Sequence, residues 1–284
     1  MSVVLALVAG ALALIFLRLG APDLLSSPVL QRENYRGHQL ATAGGILIVL
    51  ALLVVEAGRA LLGAAGVGNE PGLTVDRAEV LFAAFAFGLL GFIDDVLGGD
   101  DARGFKGHVG ALFQGRITTG FLKLFGGAGV AVVLVATPGF ASGRRLLIDA
   151  VLIALAANLG NLLDRAPGRT IKCALVAYVP LAIVLGTSPA GVAIAPVMGA
   201  TIALLPDDLG ERLMLGDSGA NVIGAVLGLG VVLGRGETTR VTALVIVIAL
   251  TILAEVVSFS KVIDRVPFLR ALDRAGATPE RKAA

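Results

Sequence analysis

The sequence has few charged and few aromatic residues. Only 15% of its 284 residues are charged, against roughly a quarter in an average soluble domain. Tryptophan is absent and tyrosine occurs twice, so the aromatic belts that often mark membrane interfaces cannot locate the ends of spans. Hydrophobic residues make up 56% of the chain, and the mean hydropathy is +0.90. These values exclude an ordinary soluble domain and predict a protein embedded in a lipid bilayer.

Cysteine, histidine and net charge are also scarce. The single cysteine, Cys173, lies in an apolar run, which is typical of a buried thiol and excludes both an internal disulfide and a thiolate metal site. His38 and His108 are isolated in separate predicted loops, so a histidine metal site is not indicated. A net charge of +2 is too small to indicate nucleic-acid binding.

Long apolar stretches make up most of the chain. A spanning helix needs about 20 mostly apolar residues. Nine stretches qualify: 2–18, 40–63, 78–97, 119–137, 145–163, 170–186, 188–206, 218–234 and 239–258. The first lacks a basic leading segment and a clear cleavage site, so we interpret it as a retained span. We therefore predict one all-α, polytopic membrane domain over residues 1–284, which ends in a short basic tail, 259–284.

The distribution of lysine and arginine predicts the orientation. Basic residues concentrate around 18–36, 103–116, 165–172, 212 and 261–282, all on one set of span ends. The opposite set carries Arg59, Arg77, Arg144, Arg145, Arg235 and Arg240. The positive-inside rule then places the N-terminus outside the cell and the richer ends, with the C-terminus, in the cytosol. A plasma-membrane location follows as an expectation.

Four polar groups interrupt the apolar pattern, and all fall on the predicted cytosolic side. They are Asp94-Asp95, the trio Asn158, Asn161 and Asp164, the segment Gly216–Asn221, and Glu255 with Ser258. Carboxylates at membrane depth are costly and are functional candidates by default. The trio is spaced by three residues and therefore shares one helix face. Asp94 and Asp95 point about 100° apart, so one could hold a cation while the other takes a proton or binds a second group.

Asp217 and Ser218 open a predicted helix, where free backbone N–H groups and the helix dipole favour phosphate. Carboxylates beside such a helix start are what Mg²⁺-diphosphate chemistry requires, since Mg²⁺ binds one or two carboxylates, waters and substrate phosphates. A plain alternative is an interfacial or helix-capping role for each acid. Glu255 could likewise simply pair with Lys261 or Arg265.

Four motifs resemble those of the polyprenyl-phosphate N-acetylhexosamine-1-phosphate transferases, the family of the MraY translocases and bacterial GlcNAc-1-phosphate transferases. They are Thr42-Ala43-Gly44-Gly45, Gly88–Asp95 with its Phe-Ile-Asp-Asp end, Asn158–Asp164, and Leu215-Gly216-Asp217-Ser218-Gly219. Glu255 and Ser258 form a weaker fifth match. The resemblance covers about residues 36–263 and keeps the order of the motifs.

The resemblance implies a reaction and a set of roles. A phospho-N-acetylhexosamine passes from a UDP-sugar to polyprenyl (undecaprenyl) phosphate, giving UMP and a lipid-diphospho-sugar for cell-wall or surface-glycan synthesis. Asp94, Asp95 and Asp217 are implied to be catalytic, with Asp217 and Asp95 as Mg²⁺ ligands. The implied substrate contacts are Asn158, Asn161, Asp164, Lys123, Gly44, Gly45 and Ser218. Where the chain departs from the family, Arg165 and Arg169 are candidates for further contacts with a substrate phosphate. Snorkelling of Lys123 to the interface explains its position equally well.

The sequence also departs from the family pattern. Arg165 replaces a glycine, Pro167 stands in place of a second aspartate, and the tail has no histidine-rich loop. These departures leave open a different UDP-sugar, or a member that binds lipid phosphate or a partner without turnover. A transporter with an intramembrane carboxylate site is a third possibility, although no inverted repeat is visible. Glycine pairs at 224–228 and 230–234 predict close helix packing and allow, without requiring, a homodimer.

Overall fold

The computed structural model describes residues 2–68, 72–98, 118–136, 142–234 and 236–279. Its helices are α1 (Val3–Gly20), α2 (Pro22–Ser26), α3 (Ile46–Ala64), α4 (Val75–Leu97), α5 (Thr119–Ala136), α6 (Gly143–Leu163), α7 (Arg169–Leu185), α8 (Pro189–Leu209), α9 (Asp217–Gly234), α10 (Glu237–Val256), α11 (Phe259–Arg265) and α12 (Pro267–Arg274). A short antiparallel hairpin, β1 (Gln31–Glu33) and β2 (Gln39–Ala41), pairs Gln31 with Ala41. The all-α membrane bundle is thus confirmed. The predicted loop residues Arg103, Lys106, His108 and Arg116 lie outside the described residues, as do Arg235, Arg281 and Lys282.

Eight helices in the described ranges are long and apolar enough to cross a membrane. The one remaining predicted span, the sixth stretch at 170–186, corresponds to α7, which has 17 residues. At 1.5 Å per residue this helix is about 25 Å long, shorter than the roughly 30 Å of a hydrocarbon core. Arg169 and Lys172 in its first turn both donate hydrogen bonds to Asp273 in the C-terminal tail.

Local sequence explains where several helices begin and end. Ser2, Ser142 and Ser188 precede α1, α6 and α8, and each hydroxyl accepts a hydrogen bond from the backbone N–H three residues later. Gly186, with a φ of 52°, ends α7 and separates it from α8. The predicted turn between the sixth and seventh stretches is therefore present.

Helices α8 and α9 form the buried centre of the bundle. Most of the side chains on α9 are inaccessible to solvent, whereas α10 buries only Arg240. A Cβ added at Gly224 would overlap the backbone of Ala156 on α6, and one added at Gly230 would lie 3.1 Å from Ile194 on α8. The glycines of α9 therefore permit close packing inside one chain and do not form an exposed surface for a dimer.

Buried ion pairs connect helices at the end of the bundle opposite the predicted polar groups. Arg77 at the start of α4 pairs with Glu56 in the second half of α3. Arg240 at the start of α10 pairs with Asp149 of α6 at 2.9 Å. We call the other end, where α4 ends and α9 begins, the site face.

Candidate active site

Four helices place polar side chains together at the site face. The Lys123 Nζ on α5 donates to Asp94 Oδ2 on α4 at 2.8 Å and also to Asp217 Oδ2 at the start of α9. Asn161 on α6 donates from Nδ2 to Asp217 Oδ1. One ammonium group thus lies between two carboxylates that are 123 positions apart in the chain. Three of the four predicted polar groups meet here.

Asp95 has different hydrogen-bond partners from its neighbour Asp94. Its Oδ1 accepts the backbone N–H of Asp217 at 2.9 Å, and its Oδ2 accepts that of Ser218 at 3.0 Å. Asp95 therefore caps α9 from a separate helix, where a negative charge is favourable. These are the N–H groups that the sequence suggested for phosphate, and they already have an acceptor. The Ser218 side chain is fully buried, at 0% exposure, so its contribution is through the backbone.

Glycines allow the start of α9 to approach its neighbours closely. Gly44 and Gly45 donate their backbone N–H groups to Met214 O at 3.0 Å and Leu215 O at 2.8 Å. Gly216 has a φ of 70°, and a Cβ there would lie 2.7 Å from Asp95 Oδ2. The contacts of Gly44 and Gly45 are thus with the backbone that leads to Asp217.

Asp164 lies just beyond the end of α6, beside the cluster. Its Oδ1 accepts the Thr170 hydroxyl at 3.3 Å. Burial raises the pKa of the Asp164 carboxyl well above its ordinary range, and the negative charges of Asp208, Asp217 and Asp95 add to this shift. The site face therefore favours a proton or a cation near Asp164.

The remaining predicted contacts are dispersed. Asn158 is half-buried one turn before Asn161, and Arg165 is exposed. Arg169 is buried and donates to Asp273 Oδ1 at 2.8 Å and to Ser260 Oγ at 2.9 Å in the tail. Glu255 is exposed, and among the described residues it has no ion pair with Lys261 or Arg265.

Sequence reasoning did not identify Glu211, which organises the loops around the site. This buried residue, with a φ of 50°, accepts Asn34 Nδ2 at 3.0 Å, the Tyr35 hydroxyl at 3.2 Å and an Arg36 guanidinium nitrogen at 2.8 Å. It thereby joins the hairpin to the loop before α9. Its partners are about 175 positions away, so no local spacing could indicate them.

Asp208 was also missed. Its Oδ2 accepts the backbone N–H of Gly168 at 2.7 Å and so supports the left-handed turn, φ 73°, that opens α7. Pro167, at which the sequence departs from the family pattern, immediately precedes the glycine of this turn. The only sequence signal is the charge-rich segment from Asp207 to Arg212 at the end of α8.

The donor set can be compared with the needs of a metal ion. Among the described residues, no group of three or more His, Cys, Asp or Glu side chains is placed to hold a metal. Asp94 and Asp217 nevertheless supply two carboxylates, 19% and 21% exposed, with a cation between them. Mg²⁺ commonly takes one or two protein carboxylates and completes its shell with water and substrate phosphates. The residues present therefore fit Mg²⁺ bound together with a phosphorylated substrate.

No known protein-family profile matches the chain. Over 198 residues, the chain is 30% identical to the phospho-N-acetylmuramoyl-pentapeptide-transferase of Deinococcus radiodurans. The match covers 65% of this chain and 59% of that relative, so the chain spans about three fifths of the relative's length. Together with the helical bundle, the match supports a distant relationship to the polyprenyl-phosphate sugar-1-phosphate transferases.

Proposed function

We propose that the chain transfers a phospho-N-acetylhexosamine from a UDP-sugar to polyprenyl phosphate in the plasma membrane. The observation that carries the proposal is the placement of Asp94 and Asp217 on either side of one cation at the end of a membrane bundle. Intramembrane carboxylates that share a cation are suited to a polyanionic substrate that reaches them from the lipid phase. The distant transferase relative supports the same reaction class.

The reaction joins two anions. An oxygen of the lipid phosphate forms a bond to the β-phosphorus of the UDP-sugar, and the bond from that phosphorus to the bridging oxygen breaks. The electron pair leaves with UMP. Because negative charge accumulates, the site must position the reactants and offset that charge. Lys123 would supply one positive charge, and Asp94 would help to position the lipid phosphate.

We propose Asp217 and Asp94 as the ligands of Mg²⁺, which would offset charge on the transferring group. The sequence had paired Asp217 with Asp95 for this role. Both Asp95 oxygens already accept backbone N–H groups of α9, and so we assign Asp95 to positioning Asp217. Lys123 would then turn from the carboxylates to the diphosphate.

We propose that the polar face near the end of α6 binds the nucleotide-sugar. Asn161 already contacts Asp217, and Asp164 and Asn158 follow the same helix face. Arg165 is exposed at the end of this face and is free to approach a substrate phosphate. Arg169, held by Asp273, is reassigned to anchoring the tail.

The test is UMP release by purified protein with undecaprenyl phosphate, Mg²⁺ and a panel of UDP-sugars, supplied one at a time. We expect release with at least one donor, abolished by EDTA and by Asp217→Asn. Asp23→Asn, which removes an exposed acid on α2, is the matched control and should leave release unchanged.

A second candidate is motivated by Pro167 and by the missing histidines. Folded protein that binds lipid phosphate in an EDTA-sensitive way, yet releases no UMP with any donor, would identify a non-catalytic binder. Solute flux across sealed vesicles without chemistry would instead identify a transporter. Either result would overturn the proposed transfer.

A further inference from the structure

Helix α12 is amphipathic. At 100° per residue, Phe268 and Leu272 lie on one side of this helix, whereas Arg270 and Asp273 lie on other sides. Phe268 is 70% exposed and Leu272 is 51% exposed. Two large apolar side chains thus project together from a short helix that also carries Arg270, Asp273 and Arg274.

Contacts with α7 fix the rotation of α12 about its axis. Asp273 accepts hydrogen bonds from Arg169 Nε at 2.8 Å and Nη2 at 3.1 Å. Lys172 Nζ donates to the carbonyl oxygens of Leu272 at 3.1 Å and of Asp273 and Ala275, each at 2.7 Å. Because these bonds hold the Asp273 side against the bundle, the apolar side of α12 stays exposed.

The tail also carries positive charge that is not balanced internally. Lys261, Arg265 and Arg270 are exposed and have no ion pair within the described part of the chain. In the described part of the tail, Asp264 pairs with Arg274 at 3.3 Å and Asp273 pairs with Arg169. The exposed surface of α11 and α12 therefore presents basic groups beside apolar ones.

The position of the tail indicates that lipid covers the exposed surface of α11 and α12. The tail follows the span α10, whose Leu253 and Val256 are exposed near its end and therefore face lipid. Helix α11 begins at Phe259, three residues after α10 ends. The tail thus follows directly, along the chain, on the end of a span whose exposed side is apolar, and we infer that it lies where the headgroups begin.

We propose that α11 and α12 form an interfacial segment that binds the surface of an anionic bilayer at the site face. Phe268 and Leu272 insert at the boundary between headgroups and acyl chains, and Lys261 and Arg265 contact anionic headgroups. The segment would hold the start of α7 at the membrane surface through Arg169. This inference depends on the membrane bundle and not on the proposed transfer.

The absence of tryptophan makes a direct test possible. The full chain carrying Phe268→Trp is placed in nanodiscs of mixed phosphatidylcholine and phosphatidylglycerol with brominated acyl chains. We expect blue-shifted emission and at least twofold stronger quenching than for Arg270→Trp, the control on the charged side of α12. Leu272→Trp serves as a second reporter if Phe268→Trp does not fold.

Equal quenching of the two reporters, or red-shifted emission from the Phe268→Trp variant, would overturn the proposal. Blue-shifted emission without lipid quenching would also overturn it, because the surface would then be covered by protein. Quenching should weaken in pure phosphatidylcholine and in Lys261→Gln/Arg265→Gln, if the basic residues bind headgroups. Since no readout needs turnover, this result is independent of the outcome of the UMP assay.

Discussion

Asp95 on α4 accepts a hydrogen bond from the backbone N–H of Asp217, the first residue of α9, at 2.9 Å. The two residues belong to different sequence motifs, and this bond places one carboxylate at the base of the helix that presents the other. A change at Asp95 is therefore expected to act on the position of Asp217 rather than on substrate directly.

Asp95→Asn is expected to lower both stability and turnover. The amide can accept one N–H group but directs its NH₂ toward the second donor, so the cap is lost at a cost of about 1–2 kcal/mol. We expect turnover to fall about tenfold or more and the Mg²⁺ concentration for half-maximal activity to rise together with the loss of stability, because Asp217, a proposed metal ligand, is displaced. Asp217→Asn, in contrast, should abolish turnover with little loss of stability. Thermal unfolding measures the stability of each variant, and Mg²⁺ titration of UMP release measures its metal dependence. If Asp95→Asn kept the melting temperature but lost the response to Mg²⁺, Asp95 would be a metal ligand.

Lys123→Met is expected to strengthen the binding of divalent cations. The ammonium group lies between Asp94 and Asp217 and competes with any metal for the same oxygens. Without it, MgCl₂ should raise the melting temperature of the variant more than that of the unmodified protein, while UMP release falls at least a hundredfold. Lys261→Met, an exposed lysine on the tail, should show the same Mg²⁺ response as the unmodified protein. A smaller Mg²⁺ response in Lys123→Met would refute a shared cation site.

Gly91→Ala is expected to disrupt the contact between α4 and α9. A Cβ at Gly91 would overlap the backbone of Asp217 and Ser218, and the backbone cannot move aside as a flexible side chain could. Overpacking of this kind costs about 1–3 kcal/mol and displaces Asp217, so turnover should be lost as well. Gly129→Ala on α5, where nothing lies within 4 Å of the added carbon, is the matched control. It should be neutral or stabilising by up to about 1 kcal/mol.

Arg77→Met is expected to destabilise the opposite end of the bundle. It removes a buried partner of Glu56, whose other ion-pair partner in the described part of the chain is Arg59 at 3.0 Å. Loss of one member of a buried pair typically costs about 3–5 kcal/mol. Arg144→Met breaks a pair with Glu237 whose side chains are 74% and 61% exposed, and should cost under about 1 kcal/mol. Equal unfolding midpoints for the two variants would contradict this difference.

Much of the arrangement at the site face follows from helical periodicity. The spacing of Asp94 and Asp95 predicts that they point about 100° apart, and in the structure one contacts Lys123 while the other caps α9. The alternation of span ends likewise predicts that the polar groups share one side. Whether Asp94 or Asp95 contacts Lys123 depends on where α5 and α9 pack against α4. No local sequence pattern contains that information.

Two further contacts could not be predicted from the sequence, because each also joins segments that are far apart in the chain. Glu211 binds partners in the hairpin near position 35, and Arg169 binds Asp273 in the tail. Each is a contact between segments more than 100 positions apart. The sequence suggested substrate phosphate for Arg169 because its tail partner could not be identified.

The sequence by itself determined the membrane bundle, the approximate spans and the set of polar residues, because hydropathy and helical period are local properties of the chain. Only the tertiary structure decided that Asp94 contacts Lys123 whereas Asp95 caps α9. It also decided the place of Lys123 between two carboxylates and the anchoring of the tail. Those features depend on how closely helices approach one another, which is determined by contacts between small residues on separate helices, such as Gly91 against the start of α9.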